Sequence, residues 1–573
     1  MHVTKLGAWL TAALLAIVFA LALQTPAAHA AKAPEAGPDL SDNTVCLGCH
    51  GNEGFEMPGP DGAVRKLYVN PDKFANSKHG PLSCVMCHES IDSIPHRESS
   101  RQGRVKCANC HVEQGEQYGK SVHAAERARG NLKAPTCSNC HTQHDIHSPS
   151  EDQTRLMITK NCGGCHKENF KSYTDTYHGQ VNTLGYAYTA KCFDCHGNHG
   201  IKRVSDPDST VHPNNRLATC RKCHAGATAG FVSFQPHANT HDFQRYPYMW
   251  ITSKFMIGLL FGVFAFFWLH SALWFYREYR ERGQHKTIKH VLTDELLPKH
   301  GKHVRRFGPW WRAGHLLFAL SVMTLVLTGM TVFYPNSAWA PVVAGALGGA
   351  RNAALLHRIA AATMLGIFFI HVVYMATRVV PDWQPRDWFG PNSFVPRWKD
   401  LDDAIGMFRW FFGRGPRPVF DRWTYWEKFD YWAVFWGMAI IGGSGLMLAF
   451  PNQTAAVLPG WVFNVATLVH GEEAFLAAVF LFTVHFFNNH FRPEKYPPPD
   501  ITMFTGAMPL EEFRREHPAQ YERLAKSGEL DKYLVDAPSQ PMTIASRLLG
   551  VVLIAIGLTL LVLVFVGFFS AVH

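Results

Sequence analysis

All fourteen cysteines of the chain fall in one five-residue pattern, Cys-x-x-Cys-His. Its seven copies are Cys46/Cys49/His50, Cys84/Cys87/His88, Cys107/Cys110/His111, Cys137/Cys140/His141, Cys162/Cys165/His166, Cys192/Cys195/His196 and Cys220/Cys223/His224. One Cys-x-x-Cys alone suits a zinc knuckle or a redox pair. Seven copies with histidine always fifth leave no thiol for zinc or for a disulfide. The pattern is that of covalent c-type haem: two thiols add to the vinyl groups of one porphyrin, and the next imidazole binds the iron. Seven c haems are expected.

The second axial ligand separates an electron carrier from a catalyst, because an iron held by two histidines carries electrons and an open position binds substrate. Ten further histidines lie between the leader and residue 248. Seven of them are expected as ligands: His79, His96, His123, His144, His178, His199 and His237. Ser77-Lys78-His79, Ser121-Val122-His123 and Thr176-Tyr177-His178 recur ahead of motifs, and His144 and His199 share a His-x-x-His-x-Ile frame. His147, His212 and His241 are the remaining three. The supply matches seven irons and favours a wire.

These groups need elements to hold them. Residues 1–30 read as a secretory signal, with Lys5, the apolar run Trp9 to Leu23 and the Ala28-His29-Ala30 cleavage frame. Export matches c-haem attachment outside the bacterial cytoplasmic membrane. Residues 31–248 then give about thirty residues per haem, too few for an ordinary core, so short helices and loops wrapped round porphyrins are expected. The motif intervals of 23 to 38 residues are too uneven for a solenoid.

Residues 249–573 are apolar and aromatic, with stretches long enough to cross a bilayer at about 249–276, 311–334, 353–380, 430–450, 462–488 and 544–570. The net charge of +10 sits in loops beside these spans rather than on a nucleic-acid face. Arg277, Arg280, Arg282, Lys302, Arg305 and Arg306 mark one basic loop, and Arg397, Arg409, Arg414 and Arg417 another. Segments 335–352 and 451–461 hold only Arg351. The basic loops are therefore cytoplasmic and the haem domain periplasmic. Residues 509–527 read as one amphipathic helix, a solvated cytoplasmic cap.

Histidines at lipid depth mark function. His357 and His371 are fourteen apart, about 40° short of whole turns and about 21 Å in depth. His470 and His485 are fifteen apart, about 60° off and about 22 Å in depth. His315 lies one turn inside the second span. Two stacked b haems between helices follow, with His357 and His470 on the outer one. The inner haem has His315, His371 and His485 as candidates, and spacing alone pairs His371 with His485. Gly366 and the run Gly442-Gly443-Ser444-Gly445 offer close approach of a porphyrin. His270 reads as structural.

Arg312-Ala-Gly-His315 through Leu327-Thr328-Gly329, then Leu356-His357-Arg358-Ile359-Ala360, resemble the dihaem cytochrome b subunits of formate dehydrogenases and nickel hydrogenases. The resemblance implies His357 with His470 and His315 with His485, leaving His371 extra; the fifteen-residue interval departs from the family. The whole layout, with His490-Phe-Arg-Pro-Glu-Lys495, is similar to the fused (CbcL-like) inner-membrane cytochromes of metal-respiring bacteria. The expected architecture is a multihaem cytochrome c domain followed by an all-α six-helix transmembrane dihaem cytochrome b bundle.

No nucleotide fingerprint, phosphate loop or flavin motif stands out. A lipid-soluble two-electron partner feeding one-electron centres is a quinone, so the expected activity is a quinol:cytochrome c-type oxidoreductase of the bacterial inner membrane. It links the menaquinone pool to periplasmic c-type cytochromes through two b and seven c haems, with no nucleic-acid partner. Quinone-site candidates near the inner haem are His371, His485, Asn488, Asn489 and Arg492; Glu472 and Glu473 serve an outer site instead. Outward electron flow spends the membrane potential, at about 2.3 kcal/mol per 100 mV, and inward flow would conserve it, so direction is open, and the resemblance favours quinol oxidation. Two alternatives are a periplasmic terminal reductase of a nitrogen or sulfur oxyanion, and a membrane anchor for a separate catalytic subunit.

Overall fold

The computed structural model describes residues 39–58, 63–97, 104–284, 303–382, 384 and 386–572. The signal segment 1–30 and loop residues 285–302, with Lys302, lie outside them. The chain forms two compact units, residues 1–117 with 135–148 and residues 118–134 with 149–573.

In the first unit the motifs ride on short helices, Asn43–His50, Cys84–Cys87 and Cys137–His141, and on the 3₁₀ turn Cys107–Asn109. Asn43 ties two motifs together: its amide donates to the Leu82 carbonyl at 2.9 Å and its oxygen accepts from the Cys84 N–H at 2.7 Å. A hairpin pairs Glu56–Pro58 with Val64–Lys66. Ser77 is the only fully buried side chain among the described residues of this unit, and none is apolar. A fold of this size without its own core needs another group to pack around.

The second unit carries the last three motifs and, among the described residues, six long apolar helices, Pro247–Glu281, Pro309–Phe333, Ala350–Asp382, Tyr425–Ala449, Trp461–Phe491 and Gln540–Ala571. They lie within a few residues of the expected spans. The fifth is central, with 50% of its apolar window buried, against 6% for the third and fourth, which flank a cavity. Met323 and Met330 of the second span, Val479 and Phe482 of the fifth, and Leu553, Leu560 and Val564 of the sixth make the core. Trp274 at the end of the first span packs with Met407, Trp410, Phe411, Phe420 and Trp426.

The 509–527 expectation is corrected. Pro518 cannot continue a helix, so Leu510–Glu516 and Pro518–Lys526 are separate helices broken at His517. Leu510, Phe513 and Leu524 are buried rather than solvated. They pack with Val304 and Met508 of a three-stranded antiparallel sheet in which His303–Arg305 lies between Ala507–Pro509 and Leu534–Val535.

Candidate functional site

Six motif histidines each face a second histidine. In the first unit His50 faces His96, His111 faces His79 and His88 faces His144, with ring centres 6.1, 6.0 and 6.1 Å apart. In the second, His166 faces His123, His224 faces His178 and His196 faces His237, at 6.2, 6.1 and 6.3 Å. An imidazole nitrogen sits about 2 Å from a metal and its ring centre roughly 1.1 Å behind, so two opposed imidazoles on one ion have centres about 6.2 Å apart. The pairs fit a haem iron.

The thiols are gathered less tightly than the imidazoles. Cys49, Cys110, Cys165 and Cys223, the second thiols of four motifs, are exposed, as is Cys87. Cys140 and Cys195 are half-buried, and no disulfide joins any of the fourteen cysteines. No cysteine of the seven motifs is fully buried. The physical reason lies in the bond itself. A thioether forms at the porphyrin's edge, so the thiol needs reach to that edge rather than a wall of protein around it. Six of the seven first thiols, Cys46, Cys84, Cys107, Cys162, Cys192 and Cys220, are half-buried, whereas Cys137 is exposed beside half-buried Cys140.

The recurring Ser/Thr-x-His frame has a physical cause. The Ser121 hydroxyl accepts from the Ala124 N–H at 3.1 Å and the Thr176 hydroxyl from the Gly179 N–H at 3.3 Å, so each caps the helix that starts one residue before its histidine. The Ser77 hydroxyl accepts from the His79 N–H at 3.3 Å. The His50 Nδ1–H donates to the Leu67 carbonyl at 2.8 Å and that of His96 to the Ser93 carbonyl at 3.1 Å, leaving Nε2 for a metal. Burial holds His88, His123, His144, His196, His224 and His237 below the ordinary histidine range, and His178 at about 4. That is the neutral form a metal needs. His147 bonds Asp145 at 2.8 Å, His212 accepts from the Asn214 N–H at 3.3 Å, and His241 bonds Asn239.

In the bundle, His357 and His470 face each other with centres 6.3 Å apart. The His357 Nδ1 lies 2.9 Å from the Thr328 hydroxyl, which gives its own proton to the Thr324 carbonyl at 2.7 Å. The His470 Nδ1 lies 3.0 Å from the Ile441 carbonyl and 3.2 Å from the Ser444 hydroxyl. Both imidazoles stand against glycines: a Cβ on Gly329 would come 3.2 Å from His357 Cε1, and one on Gly445 2.9 Å from His470 Cε1. Gly445 thus makes room for an imidazole, while a Cβ on Gly366 or Gly443 meets nothing within 4 Å.

The fifteen-residue interval is explained by a π-turn over Leu481–His485. A π-turn absorbs one extra residue, so His470 to His485 equals fourteen helical steps and matches the His357–His371 offset. His485 puts Nδ1 3.0 Å from Asp430 Oδ2, and the Asn489 amide donates to the His485 carbonyl at 2.8 Å. The charge neighbours of His315 are His485 and His490. The pairing of His371 with His485 read from spacing is not what the helices build. His371 Nε2 lies 3.0 Å from the Tyr431 hydroxyl, and its ring packs on Trp311 and Phe435. His270 is buried against Tyr425, Phe408 and Phe411.

One cavity of about 2920 Å³ is lined by His315, His485, His357, His470, His178 and His224. His371, Asn488, Asn489, Glu472 and Glu473 line it too. The Asn488 Oδ1 and the Glu473 Oε2 are buried without a protein partner, while Glu473 Oε1 accepts from Trp436 at 2.7 Å. Arg492 lines the cavity but is tied to Glu494 and stacks 5.0 Å over Trp274. The last motif docks on the bundle: His224 packs on Phe231 at 4.9 Å and Phe231 on Phe463 at 5.7 Å. The Asn464 amide donates to the Gln235 carbonyl at 2.8 Å, and the Thr228 hydroxyl to the Ala455 carbonyl at 2.7 Å.

Sequence reasoning missed Asp430, Tyr431 and Thr328. Asp430 was the one with a signal, a carboxylate inside an apolar span.

Residues 306–492 match the family model of prokaryotic cytochrome b561. No curated protein and no solved structure matches the chain. The matched region includes His315, His357, His371, His470 and His485. The C-terminal part is thus similar to a cytochrome b membrane module, a family that implies haem b and membrane electron transfer, and its long apolar helices fit a multi-pass membrane protein.

Proposed function

We propose that the chain takes electrons from menaquinol in a bacterial inner membrane and passes them to periplasmic c-type cytochromes. His357 and His470 would hold an outer b haem, and His315 and His485 an inner one. The seven motifs would hold c haems, with His79, His96, His123, His144, His178, His199 and His237 as second ligands. Bound haem supplies one-electron carriage between a two-electron donor and the periplasmic acceptors. Thr328, the Ile441 carbonyl and Asp430 orient the imidazoles and leave each Nε2 free.

The observation that carries the reading is the cavity shared by His315, His485, His357, His470, His224 and His178. It brings both membrane histidine sets and the last motif to one space. Consecutive motifs are neighbours within each unit: the thiols of Cys84 and Cys46, Cys107 and Cys137, and Cys192 and Cys162 lie in hydrogen-bond contact. A reductase with an open iron is disfavoured at the six motifs whose histidines face a second one.

For quinol, His371 Nε2 is placed to take a proton, with the Tyr431 hydroxyl positioning it. Exposed Ile370 and Tyr374 put this pair within reach of lipid. Asn488 and Asn489 line the same space, whereas Glu472 and Glu473, beside His470, suit an outer site. Stopped-flow mixing of the purified full chain with a menaquinol analogue tests the reading. The b bands are expected to reduce first and the c bands to follow; a chain in which neither is reduced overturns it.

A further inference from the structure

We infer that Asp430 holds the inner b haem at a lower potential than the outer one, giving electrons a downhill step outward across the membrane. The inference rests on the reading above, in which His485 is a ligand of the inner haem.

The hydrogen bonds behind the proposed ligands are unequal. The Nδ1–H of His357 meets a hydroxyl oxygen at 2.9 Å, and that of His470 a backbone carbonyl at 3.0 Å. Both acceptors are neutral. The Nδ1–H of His485 meets the carboxylate of Asp430 at 3.0 Å. A charged acceptor draws the proton toward itself and gives the imidazole imidazolate character, so its other nitrogen donates more strongly. Ferric iron gains more from that donation than ferrous iron, and the potential falls. The carboxylate charge acts in the same direction, since its field favours the more positive iron in a medium of low dielectric.

The setting of Asp430 fits this task. It lies in the fourth span, between Phe429 and Tyr431, with its side chain only 18% exposed. Its Oδ1 is buried with no protein partner, and the residue lines the cavity shared by both histidine sets. A carboxylate in a span is costly, and here its resolved contact is the imidazole. The outside of the membrane is the positive side, so an electron carried outward is drawn by the membrane potential, and a drop from inner to outer haem adds to that drive toward the periplasm.

Redox potentiometry of the b bands in the purified full chain, wild type beside Asp430→Asn, tests this. The lower of the two b potentials is expected to rise. The oxidised-to-reduced ratio of that haem at fixed potential should shift about tenfold, or about 59 mV for one electron. The higher potential and the low-spin spectra should stay unchanged. Two retained b haems with neither potential moved, or with only the higher one moved, overturn the inference. If Asp430→Asn loses a haem, Asp430→Glu is titrated instead: its longer arm must move the lower potential alone, and an unmoved value is refuting. A wild-type chain with no non-covalent haem defeats the membrane reading itself, which keeps the two failures apart.

Discussion

Gly445→Ala is the sharpest test of the outer b haem proposed for the bundle. The added Cβ would lie 2.9 Å from His470 Cε1 and 3.4 Å from its Nδ1. Ordinary carbon contact begins near 3.5 Å, so the ring must retreat by about 0.6 Å. It has little freedom to do so, because its Nδ1 is bonded to the Ile441 carbonyl on the same span that carries Gly445. Overpacking of this kind costs about 1–3 kcal/mol, which corresponds to roughly 5- to 150-fold weaker retention of the outer haem. Gly329→Ala is milder, at 3.2 Å from His357 Cε1, and Gly443→Ala meets nothing within 4 Å. A pyridine haemochrome assay reads non-covalent against covalent haem. Gly445→Ala is expected to fall from two b haems per seven c haems toward one, Gly329→Ala to fall less, and Gly443→Ala to match wild type. Retention of two b haems in Gly445→Ala, with an unaltered spectrum, refutes the placement of His470 as a ligand.

Three other outcomes follow from the same contacts. His371→Gln should slow menaquinol-driven b reduction about a hundredfold, and Tyr431→Phe less, while dithionite-reduced spectra stay normal in both. Thr176→Ala removes a helix cap worth about 1 kcal/mol and loosens the turn bearing His178; a carbon monoxide difference spectrum should show new binding at one haem. At Glu494 burial pushes the carboxyl up, but the guanidiniums of Arg492 and Arg417 outweigh it and hold the group below the ordinary 4.5. A depressed carboxylate stabilises the fold above its unfolded value and loses that contribution as pH falls through the folded one. The thermal midpoint of b-haem release should therefore be insensitive to this group from pH 7 to about 5 and drop below about 4.5.

The seven Cys-x-x-Cys-His motifs stand out in the sequence because covalent haem attachment would dictate both residue type and spacing. Spacing did not reveal how unevenly the two thiols of a motif are covered, with Cys165 exposed beside half-buried Cys162. The histidines that face motif histidines were legible in part, since Ser121 and Thr176 cap the turns that present His123 and His178 and so leave a repeated frame. The spans followed from length and apolarity. What the chain order hid was contact through space. The partnership of Asp430 with His485 joins residues 55 apart in sequence, and that of His371 with Tyr431 joins residues 60 apart. The π-turn at Leu481–His485 also has no sequence signature, and a uniform 100° step therefore misjudged the fifteen-residue interval. The 509–527 helix was misread because its periodic apolar residues masked the break at Pro518.

Electrical continuity between the membrane and periplasmic haems is tested most directly in vesicles that hold the full chain and menaquinol in the bilayer. A membrane-impermeant oxidant is added outside once the quinol is spent, and the b and c bands are followed together. The account predicts that the c bands oxidise first and the b bands follow to completion. Oxidised c bands beside b bands that stay reduced would contradict it.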